Sequence, residues 1–243
     1  MLFTVYAIVL RAFMFSDSKM MADVLSREEG RMSCVVRLGK SQRDRGRRQM
    51  FQPLTMLEIT LERKSAGQVP TVKESRIAAP RVSIPFDPYK TAIAMFMAEF
   101  TGNVTRAEES SPALFDFIAD SVQWLDAARG GFANFHLIYM TRLTRFIGFF
   151  PNDENYTDGS CFDMTNGCFV EPPTPQRGFL DKRESKVMHL LIRMDYGSMQ
   201  RLHLSHTSRN RCLDVILDYY SLHIPNIKEV KSLKVLRELF SAT

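Results

Sequence analysis

The 243-residue chain has only four cysteines and one tryptophan, and no apolar run approaches the roughly 20 residues that a membrane-spanning helix needs. Cys34, Cys161, Cys168 and Cys212 are scattered, and a chain of this length can bury a core without disulfide staples. Free thiols in a reducing compartment are therefore expected. The apolar opening, Leu2 to Leu10, has no basic residue ahead of it, and Arg11 and Phe13 stand where leader cleavage would require small residues, so the expected location is the cytoplasm. Phosphate-cradling motifs are missing. No Gly-x-Gly-x-x-Gly occurs, and Gly39-Lys40-Ser41 fails as the end of a P-loop because Cys34 occupies the position of the required first glycine. Zinc-ligand spacing is missing as well. Six residues separate Cys161 from Cys168, no second close cysteine pair exists, and His189, His203 and His206 do not complete a set, so neither a metal nor a cofactor is expected. With 45% hydrophobic and 24% charged residues, the composition excludes a disordered or low-complexity chain.

What the chain does have is charge in one place. The net charge is +5, but it is unevenly held: residues 1–82 carry 15 basic against 8 acidic residues, a balance of +7, and the remainder carries 17 against 19, a balance of −2. Much of the excess lies between Arg37 and Arg48. There Arg37, Lys40, Arg43, Arg45, Arg47 and Arg48 are opposed only by Asp44. Cations so crowded repel one another unless a polyanion or counterions neutralise them, which points to nucleic acid bound mainly through phosphates.

The hydrophobic period changes along the chain. Met32, Cys34, Val36 and Leu38 alternate with Arg31, Ser33 and Arg37, and Leu57, Ile59 and Leu61 with Glu58, Thr60 and Glu62, each a half-buried strand. Weaker alternation marks strands at Thr4 to Phe13, Lys19 to Leu25 and Val69 to Ile77. Five short strands joined by turns and one basic loop predict a small barrel of the OB type, whose face and loops track a phosphate backbone. After Pro80 the period is helical. Asp87-Pro88 and Ser111-Pro112 open helices, and a third carries Phe135, Tyr139, Leu143, Phe146 and Phe150. Later helices contain Val187 to Met194, Leu213 to Tyr220 and Leu233 to Phe240, the last preceded by a capping box at Asn226 and Glu229. Residues 151–177, rich in Pro, Asn, Asp and Gly, read as an irregular insert. The expected class is α+β: an OB-fold barrel over 1–82, then an all-helical domain over 83–243.

Candidate catalytic groups are few. Asp116 and Asp120, one helical turn apart, could bind a metal in a nuclease, but they fall between Leu114, Ile118 and Val122, where an amphipathic helix places solvated residues. Cys34 points to the core side of its strand. Phe132, Phe135, Tyr139, Phe146, Phe149 and Phe150 have the spacing of a helix core. A general OB-fold protein binding single-stranded DNA or RNA is the alternative reading.

Several segments in order resemble one family. Ile8-Val9-Leu10-Arg11, Ser16-Asp17-Ser18, Gly30-Arg31-Met32-Ser33, Arg37-Leu38-Gly39-Lys40 and Phe51-Gln52-Pro53-Leu54 are similar to the barrel of the RecO recombination mediators of bacterial DNA repair. Asp87-Pro88-Tyr89-Lys90, Gly131-Phe132-Ala133-Asn134-Phe135-His136, Arg209-Asn210-Arg211-Cys212-Leu213 and Lys231-Ser232-Leu233 continue the likeness through the helices, nearest to the branch of Bacteroidetes-type bacteria. The resemblance implies a non-enzymatic, nucleoid-associated protein that binds single- and double-stranded DNA and anneals complementary strands. It also implies that, with RecR, the protein helps to load RecA onto DNA coated by single-strand-binding protein (SSB). Arg31, Arg37, Lys40, Arg43, Arg45, Arg47 and Arg48 are the expected DNA contacts. Some relatives dock the acidic, Phe-ended SSB tail in a basic-rimmed apolar groove, for which Arg142 and Arg145 are the candidate rim here. The four-cysteine zinc module of many relatives is not carried over, since only Cys161 and Cys168 stand in the insert.

Overall fold

The computed structural model describes residues 1–39, 41–105, 110–172 and 178–239. Five strands, β1 (Leu2–Ser16), β2 (Lys19–Ser26), β3 (Gly30–Arg37), β4 (Met56–Glu62) and β5 (Thr71–Ala79), close into an OB-type barrel in the order β1-β2-β3-β5-β4. The period-two residues build its interior: Val5, Ala7, Val9, Ala22, Val24, Cys34, Val36, Leu57, Ile59, Leu61 and Val72 form one buried cluster. β1 serves two partners, β4 through Leu2 to Ile8 and β2 through Ala7 to Ser16. Its register slips between Val9 and Arg11, a bulge that turns the strand around the barrel corner. Into that corner fits the turn Gln52–Thr55. Leu54 N donates to Val9 O at 2.7 Å, Val9 N donates to Thr55 O at 3.0 Å, and the Arg81 guanidinium donates to Pro53 O and Thr55 Oγ1, both at 2.7 Å. These bonds hold Leu54 at φ +59, a left-handed backbone conformation that a leucine rarely adopts.

The segment expected as a basic loop is instead a helix, α1 (Gln42–Met50). Its arginines and glutamines are good helix formers. No apolar stripe announced it; Met50 at its end and Phe51 just beyond pack on the barrel core.

The helical region consists of α2 (Pro88–Val104), α3 (Pro112–Ala127), α4 (Phe135–Leu143), α5 (Lys182–Arg193), α6 (His206–His223) and α7 (Ser232–Leu239). Asp87 caps α2 as the sequence suggests, accepting from Tyr89 N and Lys90 N at 2.9 and 3.1 Å. α4 is shorter than its aromatic stripe: Phe146 and Phe149 follow it in turns closed by backbone bonds to Leu143 O and Thr144 O. The expected capping box does not form. Asn226 has φ +57, and α7 is closed by the Glu99 carboxylate of α2, which accepts from Lys231 N at 2.9 Å and Ser232 N at 2.8 Å. The insert read as irregular contains a hairpin, β6 (Cys161–Asp163) and β7 (Cys168–Val170). Three-residue strands are too short to show a period, but each buries a phenylalanine, Phe162 and Phe169, in a cluster with Met188, Ile192 and Tyr219. At its turn, Gly167 has φ +64, and a Cβ there would stand 2.6 Å from Tyr219 Oη.

Two compact units result. The first takes in Met1–Ala127 and Val230–Leu236, so α2 and α3 group with the barrel; the second is built mainly from Ala128–Glu229. In the first, Arg27 of the β2–β3 turn makes a bidentate ion pair with Asp116 of α3 at 2.9 and 3.0 Å. In the second, Tyr220 Oη donates to Met140 O at 2.8 Å, and Phe135 stacks on Tyr196 with centroids 4.5 Å apart.

His136, fully buried in α4, has its imidazole pKa lowered from 6.5 to about 3, by burial first and then by the charge of Arg209. Unfolded chains thus take up a proton below pH 6.5 that the folded protein refuses, and stability falls as pH drops from there towards 3. This group contributes up to about 1.4 kcal/mol per pH unit. Urea unfolding at about pH 7 and about pH 5 checks it: the wild type loses stability at the lower pH, and His136→Gln loses measurably less.

Candidate nucleic-acid interface

The register of β1, β2 and β3 fixes which side chains share the outer barrel face. Ala22, Val24, Cys34 and Val36 point inwards, so Lys19, Asp23, Ser33 and Arg37 face out. Lys19 pairs with Arg37, and Asp23 pairs with Ser33 on one side and with Arg11 on the other. Arg11 Nε donates to Asp23 Oδ2 and Ser33 Oγ to Asp23 Oδ1, both at 2.6 Å. Burial pushes the Asp23 carboxyl up, but the bonds from Ser33 and Arg11 and the charges of Arg11 and Arg31 outweigh it and hold it below the usual carboxylate range. Asp23 therefore stays ionised under Arg11 and fixes its position. The exposed cations of this face are Arg11, Lys19 and Arg37.

The expected DNA contacts separate on this scaffold. Arg31 donates to the Gly102 carbonyl of α2. Arg47 donates to Val72 O at 2.9 Å and Lys73 O at 3.1 Å on β5, with a longer contact to Arg37 O at 3.4 Å on β3. Arg31 thus meets a carbonyl of α2, and Arg47 bridges carbonyls of β3 and β5. Arg37 and Arg48 are exposed, and Arg48 borders a cleft of about 210 Å³ with Arg11, Met20, Phe51, Gln52 and Pro53. Lys40 lies outside the described residues, as do the side chains of Arg43 and Arg45. Sequence reasoning passed over Arg11 and Lys19. The signal was available in the β1–β2 hairpin, whose short Asp17-Ser18 turn sets Lys19 beside the next strand's Arg37.

In the second unit, Arg145 lies over the Phe150 ring, 4.2 Å from its centroid, and Arg142 ends α4. Neither lines a groove of about 340 Å³ between α5 and α6, whose lining includes Val187, Met188, Leu191, Val215, Arg183 and Arg211. Arg211 pairs with Glu184 at 2.6 Å. Asp116 is occupied by Arg27, and Cys34 is buried, with burial pushing its thiol up to about 12, far from a nucleophile's range. Cys161 stands opposite Val170 and Cys168 opposite Asp163. Among the described residues no three His, Cys, Asp or Glu side chains converge on a metal position, and no helix is long and apolar enough to cross a membrane.

A closed OB barrel with a cationic outer face, followed by helices, defines an OB-fold protein equipped for a polyanion. Comparison with known proteins makes this specific. Residues 1–81 match the family model for the Recombination protein O N terminal region, and residues 85–234 match that for its C terminal region. The chain is 39% identical to the DNA repair protein RecO of Phocaeicola vulgatus over 96% of its own length and 97% of the relative's. It is 36% identical to that of Bacteroides fragilis over the same shares, and 33% identical to that of Flavobacterium psychrophilum over 97% and 98%. The chain belongs to the RecO family of DNA repair proteins.

Because Arg47 ties α1 to both β3 and β5, Arg47→Ala is expected to cost about 1–3 kcal/mol of unfolding free energy. Arg47→Lys should recover only part of it, since an ammonium lacks the guanidinium fork. Urea denaturation of the three proteins measures this; a midpoint unchanged in Arg47→Ala contradicts it.

Proposed function

We propose that this protein is a non-enzymatic recombination mediator, located in the cytoplasm and associated with the nucleoid. On this reading it binds single- and double-stranded DNA, anneals complementary strands and, with RecR, helps to place RecA on SSB-coated DNA. The observation that carries the reading is the concentration of cations on one barrel face and on α1 in a chain of the RecO family. Binding is assigned to residues 1–82 and partner contacts to the near-neutral helices of 83–243. Annealing on such a surface needs no bond chemistry. Cations that neutralise two strands at once lower their mutual repulsion and raise their local concentration, and base pairing does the rest.

Within the expected contact set, Arg37, Lys40, Arg43, Arg45 and Arg48 are assigned to phosphates, joined by Arg11 and Lys19. Arg31 and Arg47 are assigned to holding the face in shape. For the SSB tail, Arg142 and Arg145 remain the proposed cations; the apolar groove between α5 and α6, which they do not line, is the proposed seat for a terminal phenylalanine.

Two measurements test this. Replacing Lys19, Arg37 or Arg48 by Ala should weaken binding similarly on all sequences and reduce the slope of log affinity against log salt by about 0.7 per residue on single strands and about 0.9 on duplex. An unchanged affinity and slope in the triple variant contradicts the assignment. A labelled peptide of the SSB tail should lose at least about tenfold in affinity when Leu191→Arg blocks the groove, since tenfold corresponds to about 1.4 kcal/mol. Binding unaffected by Leu191→Arg but lost in Arg142→Ala with Arg145→Ala moves the seat to α4.

A further inference from the structure

We infer that the outer face of β1–β3 carries a stacking row for unpaired nucleobases, with Phe13 and Phe15 as its contacts; this rests on the DNA-binding reading above. The register that aligns the cations also aligns an apolar row between them. Phe13 stands opposite Met21, and Met21 opposite Val35, across three adjacent strands. On one side of this row lie Arg11, Asp23 and Ser33; on the other lie Lys19 and Arg37. Residues two apart on a strand are about 7 Å apart, so each cationic row borders the apolar one directly. Phe13 is 46% exposed on this row; Phe15, 57% exposed, follows at a second register slip of β1, between Met14 and Ser16. Singly exposed apolar residues are ordinary, whereas apolar side chains exposed side by side mark an interaction surface. The Arg11 guanidinium lies 5.3 Å from the Phe13 ring centroid and is itself clamped by Asp23, which limits the motion of the ring.

Charge decides the kind of occupant. Arg11, Lys19 and Arg37 flank the row; Asp23 is buried beneath Arg11, and Asp17 stands in the β1–β2 turn at its end. An apolar stripe edged by cations complements a polyanion with flat apolar faces, which describes a single nucleic-acid strand. A duplex stacks its bases on each other and offers this face only phosphates. The row therefore supplies what cations alone do not, a preference for unpaired strands. It also gives annealing a direction: bases that pair withdraw from Phe13 and Phe15, and the product is held by phosphates alone.

The test uses the full chain with Phe13→Ala, Phe15→Ala and both, measured on a single-stranded oligonucleotide, the same oligonucleotide with abasic sites, and a duplex. Each substitution should weaken single-strand binding about tenfold. Duplex affinity, abasic-strand affinity and the salt slope should not change, and Phe13→Trp should keep the wild-type preference. Both side chains lie outside the barrel core, and urea midpoints verify that the variants fold. Equal losses on intact and abasic strands, or no loss on either, overturn the inference while leaving phosphate binding intact. So does a change in sedimentation of the protein with unchanged strand affinity, which would mean that a second copy covers the row. A wild-type protein that binds neither strand form removes the DNA-binding reading as well.

Discussion

The barrel closes through its shortest seam. β3 and β5 run parallel for only two residue pairs, Val35 with Thr71 and Val36 with Val72. An open seam would leave two unpaired edges, and it would release the twist that brings β1, β2 and β3 into one continuous outer face. The sequence around it supplies reinforcement: Val35 N donates to Pro70 O at 2.9 Å, and Arg47 reaches from α1 to carbonyls on both strands. One of the six cations crowded between residues 37 and 48 thus acts inside the fold. The carbonyls of Arg37, Val72 and Lys73 that it meets are neutral.

That arrangement explains how a repulsive cluster of arginines is tolerated. Helix α1 carries Arg47 against the barrel, while Arg48 beside it is exposed at the cleft with Arg11. At the opposite corner, Arg81 and the Gln52–Thr55 turn hold the bulge of β1, so the long strand can pair with β4 in its first half and present Arg11 and Phe13 beside β2 in its second. The outward cations Arg11, Lys19 and Arg37 and the exposed Phe13 are therefore ordered by the same ladder of backbone hydrogen bonds. On the proposed reading, annealing needs no more chemistry than this: a rigid surface on which charge is neutralised and unpaired bases are briefly held.

Much of the barrel could be read from the sequence because alternation reports directly on a half-buried strand, and all five expected strands overlap those observed. Helix α1 could not, since its sequence carries no apolar stripe, only Met50 at its end. The hairpin at Cys161 to Val170 could not either, because three residues are too few to define a period. In the capping of α7, local pattern lost to tertiary structure: Asn226 and Glu229 have the right spacing, but Glu99, more than 130 residues away, satisfies the helix start. At the site, charge clustering located the segment but did not sort its members. Arg31, Arg37, Arg47 and Arg48 look alike in sequence, and only the tertiary structure shows that two of them meet backbone carbonyls and two are exposed.

The central claim is that single-stranded DNA lies across the outer face of β1–β3. The most direct measurement is chemical footprinting by mass spectrometry, with an amine reagent for lysine and a dicarbonyl reagent for arginine, with and without an oligonucleotide. Lys19, Arg37 and Arg48 should become protected while Arg129 and Lys186 react as before. Protection confined to residues 128–229, with Lys19 and Arg37 unaffected, would contradict it.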